Sequence, residues 1–210
     1  MCGCLTNRDV LPAATAGLAH YEKRFADIDA DDARAYNRNL GAEARTATRT
    51  AQELASKLVK DAKTISGPIA NDVARFSENH LATVFTMVAN AGLLGFVPDV
   101  EGPAQSRYNQ LHRHVATSAF TFLSTSDVFL GLGVNKEYAR DTLFLNQVYD
   151  NFIYGTLAQK TKMERRAPGS LDKSLTRGVE STARGRVSPS LIVFDSYLIL
   201  LLSSPPLDLR

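Results

Sequence analysis

The chain has 210 residues, 44% of them apolar and 22% charged, with a formal net charge of +2. That length suits one domain plus a tail, the apolar share is enough for a core, and the charge is too sparse and too balanced for a wholly disordered polymer. Two cysteines, Cys2 and Cys4, exclude a disulfide framework and a four-cysteine zinc site.

Residues 1–10 read as a flexible N-terminus. Arg8 and Asp9 interrupt it before any apolar run develops, so no secretory signal is expected, and Gly3 stands one place too late for myristoylation. With no Asn-x-Ser/Thr sequon either, the expected setting is intracellular, cytoplasmic or nuclear.

The helical domain is placed at residues 11–167. Leu11, Ala14, Leu18, Tyr21, Phe25 and Ile28 recur at steps of three and four and predict a first helix that Pro12 opens. Asp29 reads as the N-cap of a second helix, with Asp31 and Asp32 in the first turn, where the dipole favours carboxylates. Its stripe runs Ala33, Tyr36, Leu40, Ala44, Ala47, Ala51, Leu54, Leu58, Ala62 and Ile65 before Gly67-Pro68 stops it, with Gly41 a candidate break. The Ala-rich middle buries little area but lets a partner helix approach closely.

Pro68 fits the first turn of a third helix carrying Ile69, Val73, Phe76, Leu81, Val84, Met87, Val88 and Ala91. The loop from Pro98 to Gly102 delivers Pro103 to a fourth, with Tyr108, Leu111, Val115, Ala119 and Phe122, broken by "STSDVFLGLGVN". Asn135 is the expected cap of a fifth helix with two overlapping stripes, Phe144, Val148 and Phe152 beside Leu145, Tyr149 and Ile153, which makes it the expected centre of the core. "APG" at 167–169 ends it. No stretch alternates as a half-buried strand does, so the expected fold is all-α, a bundle of about five helices with a basic, disordered C-terminal segment.

The segment 145–171 carries Tyr149, Asp150, Asn151 and Phe152, then Arg166, Pro168, Gly169, Ser170 and Leu171. It resembles a pattern found in a group of uncharacterised proteins of basidiomycete fungi, where an aromatic-Asp-Asn-Phe motif leads through a basic helix end to a Pro-Gly-Ser-Leu turn. The resemblance covers about an eighth of the chain and implies a fungal source and a shared fold. The group has no assigned activity, so no catalytic residue is carried over. Its members continue with a basic, Arg-rich helical stretch, from which this chain departs after Arg186.

Charge is concentrated late. Between residues 160 and 186 stand Lys160, Lys162, Arg165, Arg166, Lys173, Arg177, Arg184 and Arg186, against Glu164, Asp172 and Glu180. These eight cations are the candidate nucleic-acid-binding residues, since they could neutralise phosphates and release counterions, though few aromatics accompany them for stacking. Residues 168–186 read as a basic linker or tail. Residues 187–210 form an apolar tail whose run Leu191 to Leu202 is too short for a bilayer and contains Asp195. At the level of the gene, Val187-Ser188 is how the intron donor GTGAGT translates, and the Leu, Ser, Pro and Phe beyond it include pyrimidine-rich codons. The tail is therefore read as translated intron, with a buried terminal strand or helix as the alternative.

No catalytic constellation emerges. His112 and His114 lie two apart on a helix and point in different directions, and His20 and His80 stand alone, so no metal site is expected. Glu137 and Asp141 could share a face of the fifth helix, but its dipole is reason enough for both. "GLGVNK" lacks the third glycine and the preceding strand of a dinucleotide loop. The expected role is a non-enzymatic module for protein–protein interaction or scaffolding, with no cofactor and no transmembrane span, partnered by another protein or a second copy. The alternative is nucleic-acid association through residues 160–186.

Overall fold

A computed structural model of the chain describes residues 15–25, 33–64, 73–74, 76–126, 128–129 and 137–167. Residues 1–14 and 168–210 lie outside these, and with them Pro12, both cysteines, the basic tail and the apolar end; so do Asp29, Pro68 and Asn135. The fold is an all-helical bundle, with no strand among the described residues. In chain order come α1 (Thr15–Phe25), α2 (Ala33–Thr64), α3 (Glu78–Asn90) and α4 (Arg107–Thr125). A 3-10 turn at Tyr138–Arg140 precedes α5 (Thr142–Asp150), which continues through a π-helical stretch, Asn151–Leu157, into α6 (Ala158–Arg166). These last three pieces form one rod, the expected fifth helix.

α2 passes through Gly41 without a break over 32 residues. One glycine costs about 1 kcal/mol relative to alanine, which a helix of this length carries. Its C-terminal half lies chiefly against α3 and buries Ala51, Ala55, Leu58, Val59 and Ala62, leaving Gln52, Glu53, Lys57 and Lys60 exposed. Small residues at the contact let the axes approach, and the Ser56 hydroxyl donates to the Glu78 carboxylate across it.

The expected third helix does not run unbroken through Phe76. Ser77 is extended (φ −71°, ψ 150°), and its hydroxyl accepts the His80 N–H at 3.2 Å, capping α3 at Glu78. α3 ends in a Schellman motif. Gly92 takes φ 74°, its N–H donates to Ala89, and the Leu93 N–H reaches back to Val88 (3.3 Å), with Leu93 and Val88 in one apolar cluster. α4 likewise starts later than Pro103, at Arg107, because the Ser106 hydroxyl accepts the Asn109 N–H. Asp141 rather than Asn135 caps α5, accepting the Phe144 N–H at 3.0 Å, so Glu137 and Asp141 do not share the opening turns of one helix.

The main core joins α2, α3, α4 and the rod, with Tyr149, Phe85, Phe96, Leu81, Leu123 and Ile153 fully enclosed. Phe129, beyond α4, stacks on Phe120 at 5.5 Å and meets Phe76 edge-on at 5.8 Å, which fixes both chain turns to one spot. A smaller cluster of Val88, Ala89, Leu93, Tyr108 and Val115 receives Leu18 and Tyr21 of α1. There Tyr21 meets the Tyr108 ring at 5.4 Å, and a Cβ on Gly17 would stand 2.6 Å from the Tyr108 hydroxyl oxygen.

That close approach reverses the usual effect of removing a helical glycine. Gly17→Ala should gain about 1 kcal/mol of helix propensity, but the Tyr108 hydroxyl is tethered to the Val97 carbonyl at 2.8 Å and its ring is buried, so it cannot swing aside. Thermal melts should show Gly17→Ala destabilising the native chain. In a Tyr108→Phe background the next atom is 3.7 Å away, and the same substitution should stabilise. The same sign in both backgrounds would contradict the contact.

Candidate functional site

The sequence points first to the basic segment. Lys160, Lys162, Arg165 and Arg166 are all exposed on α6, and the Arg165 guanidinium pairs with the Glu101 carboxylate from the loop between α3 and α4. Lys173, Arg177, Arg184 and Arg186 lie outside the described residues. Four of the eight cations therefore share one short helix, and one of those four is already neutralised.

The densest polar chemistry is inside the bundle. The chain from Leu93 to Ser106 is irregular, yet Leu93, Gly95, Phe96 and Pro98 on it are buried. Buried backbone without helix or sheet partners must be served by side chains or water. Three side chains from the first turns of α4 do this. The Tyr108 hydroxyl donates to the Val97 carbonyl (2.8 Å), and the Val97 N–H donates to His112 Nε2 (3.2 Å). Asn109 accepts the Asp99 N–H (2.9 Å) and donates to the Asp99 and Pro103 carbonyls (2.9 and 3.0 Å). The Asp99 carboxylate closes the turn by accepting the Glu101 and Gly102 N–H groups.

His112 is fully enclosed, more deeply than the surface or partly buried role its sequence context suggests, whereas His114 is exposed. Its Nε2 accepts an N–H, so the neutral ring carries its proton on Nδ1, 3.0 Å from the Tyr108 carbonyl it donates to. Burial lowers its pKa to about 4, and the Tyr108 and Gly95 carbonyls, which favour the charged ring, offset this only in part. Phe96 and Tyr108 flank it at 5.2 and 4.4 Å.

A second polar cluster adjoins the first through Arg113, whose guanidinium meets Asp150 of α5 at 2.7 Å. Beside Asp150 lie Tyr149 and Tyr154, with ring centroids 6.5 Å apart. Burial holds both hydroxyls protonated well above the usual phenol range; Asp150 pushes them further up and Arg113 opposes it. None of these residues stood out in the sequence as a site. The available signal was polar side chains set into apolar stripes, Asn109 and His112 among Tyr108, Leu111 and Val115, and Asp150 between the two stripes of α5.

Among the described residues no three or more His, Cys, Asp or Glu gather as a metal site would require. An open groove of about 480 Å³ runs over Tyr21, Asn90, Arg107, Gln110, Leu111 and His114. Its wide mouth sets it apart from an enclosed reaction cavity. No helix among the described residues is long and apolar enough to cross a membrane.

The clasp makes stability depend on pH through His112. Its folded pKa lies below the usual 6.5, so the unfolded chain binds more protons between those values and stability falls as pH drops from 6.5 towards 4. The loss is on the order of 3 kcal/mol. Denaturant melts across that range should show this slope, and His112→Gln should remove it while lowering stability at pH 7. An unchanged slope in the variant would mean that His112 does not titrate as its surroundings require.

No protein-family model, curated protein or solved structure matches the chain.

Proposed function

We propose that the chain is a non-enzymatic helical interaction module whose partner is another protein or a second copy of itself. The observation that carries this is apolar surface on the rod. Leu143, in the first turn of the rod, is 77% exposed, and Tyr138, in the 3-10 turn just before it, is 51% exposed with its ring against Phe144 at 5.2 Å. Single exposed apolar residues need no explanation, but large neighbouring ones mark a surface that another molecule covers. Met163, 46% exposed, lies further along the same rod.

The rod suits the role because it is held from inside: Tyr149 and Ile153 are fully buried, and Arg113 grips Asp150. A rigid presenting surface loses little conformational freedom on binding. The lack of sequons and of enough cysteines for a disulfide framework favours an intracellular setting, cytoplasmic or nuclear. The Tyr149 to Leu171 pattern favours kinship with the basidiomycete group.

A second reading rests on charge. Lys160, Lys162 and Arg166 are exposed cations on the last turns of α6, which could hold phosphates and would extend through Lys173, Arg177, Arg184 and Arg186.

Light scattering across micromolar concentrations should give a mass above that of one chain, reduced by Leu143→Glu. Burying one leucine supplies about 1.5–3 kcal/mol, so self-affinity should weaken at least about tenfold. Mixed-sequence duplex DNA should bind weakly or not at all at low and moderate salt. A monomer at every concentration, with DNA binding that drops steeply as salt rises, would replace the first reading by the second.

A further inference from the structure

Where α5 passes into the π-helical stretch, three polar atoms have no hydrogen-bond partner among the described residues. In an α-helix five residues turn through about 500°, which would set Tyr149 and Tyr154 roughly 140° apart. Hydrogen bonding from i to i+5 brings such a pair towards one side, and here the Ala158 N–H does donate to the Ile153 carbonyl. The result is the edge-on ring contact at 6.5 Å, with Asp150 one turn before Tyr154. Tyr149 has no exposed surface, and the Tyr149 hydroxyl, the Tyr154 hydroxyl and Asp150 Oδ1 are each shut off from solvent without a hydrogen-bond partner among the described residues. The other Asp150 oxygen is taken by Arg113.

The geometry points to a buried binding site for one small neutral hydroxylic molecule, a water, held by the Tyr149 and Tyr154 hydroxyls and Asp150 Oδ1. Chemistry selects the occupant. Two phenols kept protonated offer two donors, and one free carboxylate oxygen offers an acceptor; a water accepts twice and donates once, the three hydrogen bonds usual for a buried water. An anion is repelled by Asp150. A hard cation needs at least six oxygens, and here one carboxylate oxygen already serves an arginine. An ammonium group would leave both phenol protons without an acceptor. The bound molecule ties Tyr149 and Asp150, at the end of α5, to Tyr154 in the middle of the π-helical stretch, and so holds the passage from one into the other.

Isosteric substitution in the full chain tests this. If the hydroxyls are served by a shared water, Tyr149→Phe and Tyr154→Phe should each lower the melting temperature, by about 2–4 °C. The double variant should lose less than the sum, because the water departs with the first loss. A melting temperature unchanged or raised in either single variant would show that hydroxyl to be unserved and overturn the site. Should a variant not fold, a crystal structure of the native chain decides. Density for one oxygen about 2.6–3.2 Å from all three atoms bears the site out, whereas hydroxyls bonded directly to Asp150, or no density, overturns it.

Discussion

The fold depends on how the buried loop between α3 and α4 obtains its hydrogen bonds. Peptide groups at Val97, Asp99 and Pro103 lie outside any helix, and Tyr108, Asn109 and His112 make five hydrogen bonds to them. Each such bond contributes about 1 kcal/mol net, but leaving a buried peptide group unserved costs about 1–3. The penalty for a wrong loop conformation therefore exceeds the gain from the right one. That asymmetry makes the clasp a device for uniqueness as much as for stability.

This constraint sets the rest of the arrangement. Tyr108 is fixed by the loop, so α1 can pass close to its hydroxyl at Gly17, which has no side chain to collide with it. Asp99, held through Asn109, folds the turn that carries Glu101, and Glu101 in turn engages Arg165 on α6. On the next part of α4, Arg113 reaches Asp150. The interior of the rod and its C-terminal end are thus referred to one helix and one loop. The exposed pair at Glu101 adds little by itself, while the half-buried Arg113–Asp150 pair, two charges shielded from water, matters more.

Much of the architecture was legible in the sequence because apolar spacing alone determines it. The stripe Ala51, Leu54, Leu58, Ala62 and the paired stripes of the fifth helix came out on buried or half-buried faces. Helix starts were less legible. Pro103 looked like an opening, yet Ser106 supplies the cap of α4, as Ser77 and Asp141 do for α3 and α5, because a cap is decided by whether a side-chain oxygen meets the orphan N–H two or three residues on. The polar interior left only the faint mark of polar residues set into apolar stripes. Asn109 and His112 are ordinary surface residue types, and only the loop, folded in from ten or more residues away in sequence, makes them necessary.

Sequence periodicity placed the fifth helix in the core but did not reveal its π-helical stretch. Two stripes side by side suggested a helix buried on a broad face, and both are buried: Leu145, Tyr149 and Ile153, with Val148 and Phe152 beside them. After Asp150 the hydrogen-bond register lengthens, so residues that α-helical spacing would separate, Tyr149 and Tyr154, meet. The change of register also re-aims α6, which leaves with Lys160, Lys162 and Arg166 exposed and Thr161 buried. One local change in hydrogen bonding therefore sets both the polar cluster inside the bundle and the direction in which the basic helix end presents its charge. Any partner that reads α6 reads a surface whose orientation is fixed by Tyr149, Asp150 and Arg113.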